Sequence, residues 1–153
     1  VALMLSFLYQ TRMVPIEGKN TPIVYFLIFI CSWGCDTCAY AVGMLIGKHK
    51  MAPILSPKKS IEGGIGGIVG AALLGAIYGM VFDLDIRGCV ILCAAGGAVS
   101  QIGDLAASAI KRNHNIKDYG HLIPGHGGIL DRFDSVIFTA PIIYALTLLV
   151  FSR

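Results

Sequence analysis

A chain of 153 residues with 56% hydrophobic and only 14% charged residues is not an ordinary globular domain, since an average soluble protein carries about 25% charged residues. Its positive mean hydropathy makes the bilayer the better solvent, and several apolar runs reach the roughly 20 residues that a helix needs to cross the hydrocarbon core. The net charge of +3 is too small to argue for a nucleic-acid partner.

Residues 1–11 (VALMLSFLYQT) are apolar but too short to span and read as the remnant of a helix. A start without a charged n-region and a small-residue cleavage site shows no signal peptide. The chain reads as one membrane domain over residues 1–153, the C-terminal part of a longer protein. Residues 12–21, with Pro15, Glu17, Gly18 and Asn20, form a polar connector by their breakers.

The first full span, Pro22 to Gly47, opens on a proline suited to a first helical turn. Asp36 lies well inside it, where a carboxylate costs roughly 2.5–3.5 kcal/mol on insertion scales. On a 3.6-residue period Asp36, Tyr40, Gly43 and Gly47 share one face, a stripe suited to close helix packing or a lined cavity. Packing explains the glycines but not the aspartate.

Lys48 to Glu62 reads as a basic loop, followed by a glycine-rich span over residues 63–82 that starts Gly-Gly-Ile-Gly-Gly. Those glycines are either close-packing positions in a membrane bundle or a flexible backbone beside a phosphate group. After a turn at residues 83–87, a span from Ile86 to about Ile110 becomes polar on one face, at Ser100, Gln101, Asp104, Ser108 and Lys111. The last span, Ser135 to Phe151, takes Asp134 or Ser135 as N-cap, and Pro141 inside it predicts a kink. The expected fold is all-α: a polytopic integral membrane helix bundle of about four full transmembrane helices plus a partial N-terminal one.

The five cysteines, Cys31, Cys35, Cys38, Cys89 and Cys93, lie within apolar runs and read as packing residues. Histidines 114, 121 and 126 lack the His-x-x-x-His or cysteine partners of a zinc site. Lys48, Lys50, Lys58 and Lys59 lie in one loop and Lys111, Arg112, Lys117 and Arg132 in another two spans later, so both emerge on one face. Only Arg12, Lys19, Arg87 and Arg153 fall on the other, which makes the first face cytoplasmic.

Charge, glycine and histidine crowd between Gly103 and Asp134. Two basic loops, three convergent carboxylates (Asp36, Asp104, Asp131) and the Gly125–Gly128 turn describe a place for phosphate and a hard cation. Magnesium prefers oxygen ligands, usually one or two carboxylates plus substrate phosphates. The bland readings are an ion pair between Asp104 and Lys111, and Asp131 pairing with Arg132 or capping the last span.

Ser108, Lys111-Arg112, Lys117-Asp118, Pro124-Gly125-His126-Gly127-Gly128 and Asp131-Arg132-Phe133-Asp134 together resemble the signature of the phosphatidate cytidylyltransferase (CDP-diacylglycerol synthase) family, in its C-terminal catalytic portion. Asp36-Thr37-Cys38-Ala39-Tyr40 and Ser56-Pro57-Lys58-Lys59-Ser60 resemble that family's upstream motifs. The resemblance implies transfer of a cytidylyl group from CTP to phosphatidic acid, yielding CDP-diacylglycerol and pyrophosphate, at the cytoplasmic face of a bacterial inner membrane. It implies that Asp104 and Asp131 hold Mg2+, with room for a second cation. Lys111, Arg112, Lys117, Lys58 and Lys59 become phosphate contacts, and Ser108 a supporting hydroxyl. Asp36, Asp118, His126, Gly127, Gly128 and Arg132 complete the substrate-binding set, and a homodimer is compatible with it.

Two other functions compete. A CTP-dependent lipid kinase of the dolichol or phytol type would transfer the γ-phosphoryl to an alcohol and release CDP. In a channel or transporter, Asp36, Asp104 and Gln101 would line an ion path.

Overall fold

The computed structural model of the chain describes residues 2–14, 22–53, 55–114, 116 and 130–151. Among the described residues, four helical segments are long and apolar enough to cross a membrane: Ile23–Ile46, Ile61–Val81, Ile86–Asn113 and Phe133–Phe151. A shorter helix, α1 (Ala2–Met13), precedes them and packs on the last of the four. The all-α membrane bundle expected from hydropathy is therefore observed.

The first span is not one uniform helix. It consists of α2 (Pro22–Phe29), a π-helical turn (Ile30–Gly34) and α3 (Cys35–Ile46). A π turn holds more residues than an α turn, so it changes the phase of the helix partway along. Leu27, Ile28 and Cys31 thereby face the buried core, while Asp36, Tyr40 and Gly43 face a cavity.

Residues 48–62 differ from the loop predicted. They contain an antiparallel hairpin of β1 (Lys50–Ala52) and β2 (Ser56–Ser60), with a register irregularity between Lys50 and Ala52. Local ties hold it at the membrane edge. Glu62 accepts from the backbone N–H groups of Lys48 and His49, both at 3.2 Å, and sits 2.6 Å from the His49 ring nitrogen. The next helix, α4 (Ile61–Val81), starts two residues before the predicted span because Ser60 caps it, accepting the Gly63 N–H at 3.1 Å.

The turn into α5 (Ile86–Asn113) is closed at both ends. Asp83 adopts a left-handed conformation (φ 53°), and the Leu84 N–H reaches back to the Gly79 carbonyl at 2.9 Å, the pattern that ends many helices. Asp85 then caps α5 by accepting from Arg87 and Gly88. Helix α6 (Leu130–Phe151) begins earlier than predicted, so Asp134 and Ser135 lie inside it rather than capping it, and it continues through Pro141.

Helices in lipid associate through close packing of small residues, because burying apolar surface gains little there. The glycines of α4 serve that purpose, as the packing reading predicts, while Gly63 and Gly64 also line the cavity that Asp36 faces. A Cβ on Gly67 would stand 2.8 Å from both the Ala39 Cβ and the Cys35 carbonyl, and one on Gly75 would stand 2.6 Å from the Cys93 sulfur. Replacing Gly67 with Leu should push α3 from α4 and cost about 1–3 kcal/mol by overpacking. Thermal unfolding in detergent micelles would reveal it as a lowered midpoint; an unchanged midpoint would mean that the seam yields freely.

The buried core lies where α2, the π turn, α5 and α6 meet, around Val24, Leu27, Leu92, Val136 and Ile143. Cys31, Cys89 and Cys93 pack within it, as expected of thiols in apolar surroundings. Side chains such as Leu45, Leu73 and Leu149 point outward, as a lipid-facing surface requires.

Candidate active site

Consecutive antiparallel spans bring the end of α3, the hairpin, the start of α4, the end of α5 and the start of α6 to one end of the bundle. Among the described residues, Lys48, Lys50, Lys59, Lys111 and Arg112 of the two basic segments belong to that end. A cavity of about 540 Å³ opens there, lined by Asp36 and Tyr40 of α3, Lys59 of β2, and Gln101 and Asp104 of α5. Of the two predicted faces, Asp36, Tyr40 and Gly43 of α3 and Gln101 and Asp104 of α5 line it. Ser60, Gly63 and Gly43 make this possible: a Cβ on Gly43 would meet the Ser60 hydroxyl at 3.0 Å, so β2 and α4 approach α3 closely.

Two lysine–carboxylate groups organise the charge. The Lys59 ammonium is ion-paired with Asp104 and also donates to the Gln101 side-chain oxygen at 3.2 Å. The Lys111 ammonium lies between two carboxylates of α6, 3.1 Å from Asp131 Oδ1 and 3.3 Å from Asp134 Oδ2. These three side chains are only 12%, 8% and 9% exposed, so the charges are removed from water and compensate one another. Asp134 also accepts the Ser135 N–H at 2.7 Å. The charges of Asp36, Asp104 and Asp134 are near enough to interact, which joins the two groups into one field.

The π turn reaches the same place. Its Ser32 hydroxyl lies 2.6 Å from that of Ser135, a buried bond between residues 103 positions apart. Trp33 stacks edge-on against Phe133 at 6.1 Å between ring centroids. Together these contacts hold the first span against the start of α6, beside Asp134.

The bland reading of an ion pair between Asp104 and Lys111 is not what the structure shows. Asp104 pairs with Lys59 and not with Lys111, because the hairpin brings β2 across to α5. Asp131 pairs with Lys111. Lys111, expected as a phosphate contact, lies between Asp131 and Asp134. Ser108 is half-buried on α5, between Asp104 and Lys111, whereas Arg112 is exposed at the last turn. The predicted contacts Lys117, Asp118, His126, Gly127 and Gly128 lie outside the described residues, as do the side chains of Lys58 and Arg132.

Sequence reasoning missed Asp134 as a site residue by assigning it to a cap. The available signal was its spacing from Asp131: three residues apart on a helix share a face. It also missed the structural part of Gln101, whose amide lies between Lys59 and the Cys35 sulfur.

A divalent cation suits this donor set in one respect. The carboxylates supply hard oxygen ligands, and a cationic group, the Lys111 ammonium, already sits between two of them. Among the described residues, however, no three Asp, Glu, His or Cys side chains are gathered to hold an ion by themselves. The residues thus fit magnesium as a site that substrate phosphates complete, not as a protein-only cage.

Known proteins are similar to this chain over most of its length. The model of the cytidylyltransferase family matches residues 1–150. The phosphatidate cytidylyltransferase of Staphylococcus epidermidis (strain ATCC 35984) is 42% identical over 142 residues, covering 92% of this chain and 52% of that protein. That of Bacillus subtilis (strain 168) is 44% identical over 128 residues, covering 82% and 47%. The same-named protein of Staphylococcus aureus (strain COL) is 41% identical over 145 residues, covering 92% and 52%. The chain spans about half the length of these curated relatives. With nearly its whole length matched and lysine–carboxylate groups gathered at one end of a membrane bundle, the chain belongs to the cytidylyltransferase family.

Proposed function

We propose that the protein containing this chain transfers a cytidylyl group from CTP to phosphatidic acid, forming CDP-diacylglycerol and pyrophosphate. The observation that carries the reading is the pair of lysine–carboxylate groups, Lys59–Asp104 and Lys111–Asp131–Asp134, at the basic end of a transmembrane bundle. A polyanionic nucleotide from water and a phosphate head group anchored in the bilayer can meet at such an end. The names of the relatives supply the substrate class.

The lipid phosphate is a monoester with a second pKa near 6, so it is already largely ionised at neutral pH and needs little help from a general base. Its oxygen attacks the α-phosphorus of CTP, and the bond from that phosphorus to the bridging oxygen of the β-phosphate breaks, releasing pyrophosphate. The protein's task is positioning and charge compensation. Lys59 offers a cation on the cavity wall that can meet the triphosphate as its pair with Asp104 opens. Lys111 keeps Asp131 and Asp134 turned toward the same end of the bundle. Magnesium, held by Asp104 and Asp131 with Asp134 beside them, would supply charge neutralisation for the triphosphate and the departing pyrophosphate. Lys117, Asp118, His126, Gly127 and Gly128, with Arg112, Arg132, Lys58, Ser108 and Asp36, complete the proposed substrate contacts.

By the positive-inside rule the basic end faces the cytoplasm, and the bacterial relatives suit a cytoplasmic membrane. The test is to incubate the full-length membrane protein with labelled CTP, phosphatidic acid and magnesium. CDP-lipid and pyrophosphate should form, and a chelator should abolish both. Release of CDP with a phosphorylated alcohol would instead identify a lipid kinase, and ion flux without CTP turnover would identify a transporter.

A further inference from the structure

Gln101 is almost completely buried, on the same face of α5 as Asp104. A buried amide is costly unless both ends are satisfied, and this one is satisfied by groups from two other elements. Its oxygen accepts from Lys59 Nζ at 3.2 Å, and its nitrogen donates to Cys35 Sγ at 3.3 Å. An ammonium can only donate, so the amide oxygen must face Lys59 and the NH2 must face the sulfur. The Cys35 thiol in turn donates to the Gly97 carbonyl at 3.5 Å, leaving its lone pairs to accept. Every bond direction in the chain from Lys59 through Gln101 and Cys35 to Gly97 is thereby determined.

This hydrogen-bond chain ties β2 to α5 and α3, and it passes through Cys35, the neighbour of Asp36. Lys59 sits on a short two-stranded hairpin and carries a flexible four-carbon stem, so its ammonium would lose much freedom on binding an anion. A second anchor that does not depend on Asp104 removes part of that loss beforehand.

We propose that Gln101, braced by the Cys35 thiol, is a positioning residue that holds the Lys59 ammonium at the cavity wall when its ion pair with Asp104 opens, so that it meets the CTP triphosphate. This rests on the function proposed above. Cys35, which composition makes a packing residue, becomes the brace.

The test is a KM-against-kcat comparison in the full-length membrane protein, with Gln101→Leu and Gln101→Glu made in both the Lys59 and Lys59→Met backgrounds. With Lys59 present, Gln101→Leu should raise the KM for CTP about tenfold while kcat stays within about threefold, the loss expected for one charge-assisted hydrogen bond. Gln101→Glu keeps the acceptor and should return KM to within about threefold of wild type. In the Lys59→Met background, Gln101→Leu should change KM by less than about twofold, because its target is gone. Cys35→Ala releases the far end of the amide and should raise KM by about threefold, a second route if the leucine variant does not accumulate. Equal KM effects in both backgrounds, an unchanged KM with Lys59 present, or a loss confined to kcat would overturn the proposal. A wild-type protein that makes no CDP-lipid would overturn the proposed function instead, so the two failures are distinguishable.

Discussion

Changing Asp104 to Asn in the full-length protein is expected to lower CDP-lipid formation on the order of a thousandfold while leaving the fold in place. The two halves of that expectation have different physical origins. The Lys59–Asp104 pair is partly exposed, at 21% and 26%, and Gln101 also accepts from Lys59, so water and the amide keep the lysine compensated and the loss of stability should stay at about 1 kcal/mol. Asparagine preserves the side-chain shape and one oxygen but removes the charge that a cation bound to triphosphate needs. Turnover assays paired with thermal unfolding in detergent would separate these effects. Near-normal turnover would remove Asp104 from the proposed metal site, whereas a collapse in stability would mean that the pair is more deeply buried in the bilayer than its exposure indicates.

Lys111→Met should behave in the opposite way, failing first in stability. Asp131 and Asp134 share the lysine ammonium, and all three side chains are close to nine-tenths buried. Removing the cation takes from both carboxylates the ammonium they share, a change that costs about 3–5 kcal/mol in comparable buried pairs. Adding Asp134→Asn to Lys111→Met should recover part of the loss, since one of the two neighbouring carboxylates is then neutral, without restoring turnover. Unfolding midpoints of the single and double variants provide the measurement. A single variant as stable as wild type would show that water or lipid head groups already compensate these carboxylates.

The bundle itself was legible because its signals are local. Hydropathy over twenty residues marks a span whatever it packs against, and the prolines, glycines and charges between spans mark the connections. The common face of Asp36, Tyr40 and Gly43 followed from helical periodicity and is the face that lines the cavity. Local signals also misled. The basic segment of residues 48–62 carries two prolines and four lysines and reads as a loop, but Ser60 and Glu62 tie it into a hairpin. Asp134 resembles a helix cap by residue type, yet α6 had already begun at Leu130.

What the amino-acid order determined alone was the number and approximate limits of the spans, the gathering of the basic segments on one side, and the residue types available for phosphate and cation chemistry. Each of these depends on composition within a short window, where burial and helix formation are decided. Which charge meets which was decided only by the tertiary structure. Lys59 reaches Asp104 because a hairpin leans on α5, Lys111 reaches across 20 positions to Asp131, and Ser32 meets Ser135 across 103. A side chain with a reach of a few ångströms finds its partner only after the helices have packed. That packing depends on glycines such as Gly67, whose missing Cβ lets two backbones come within contact distance.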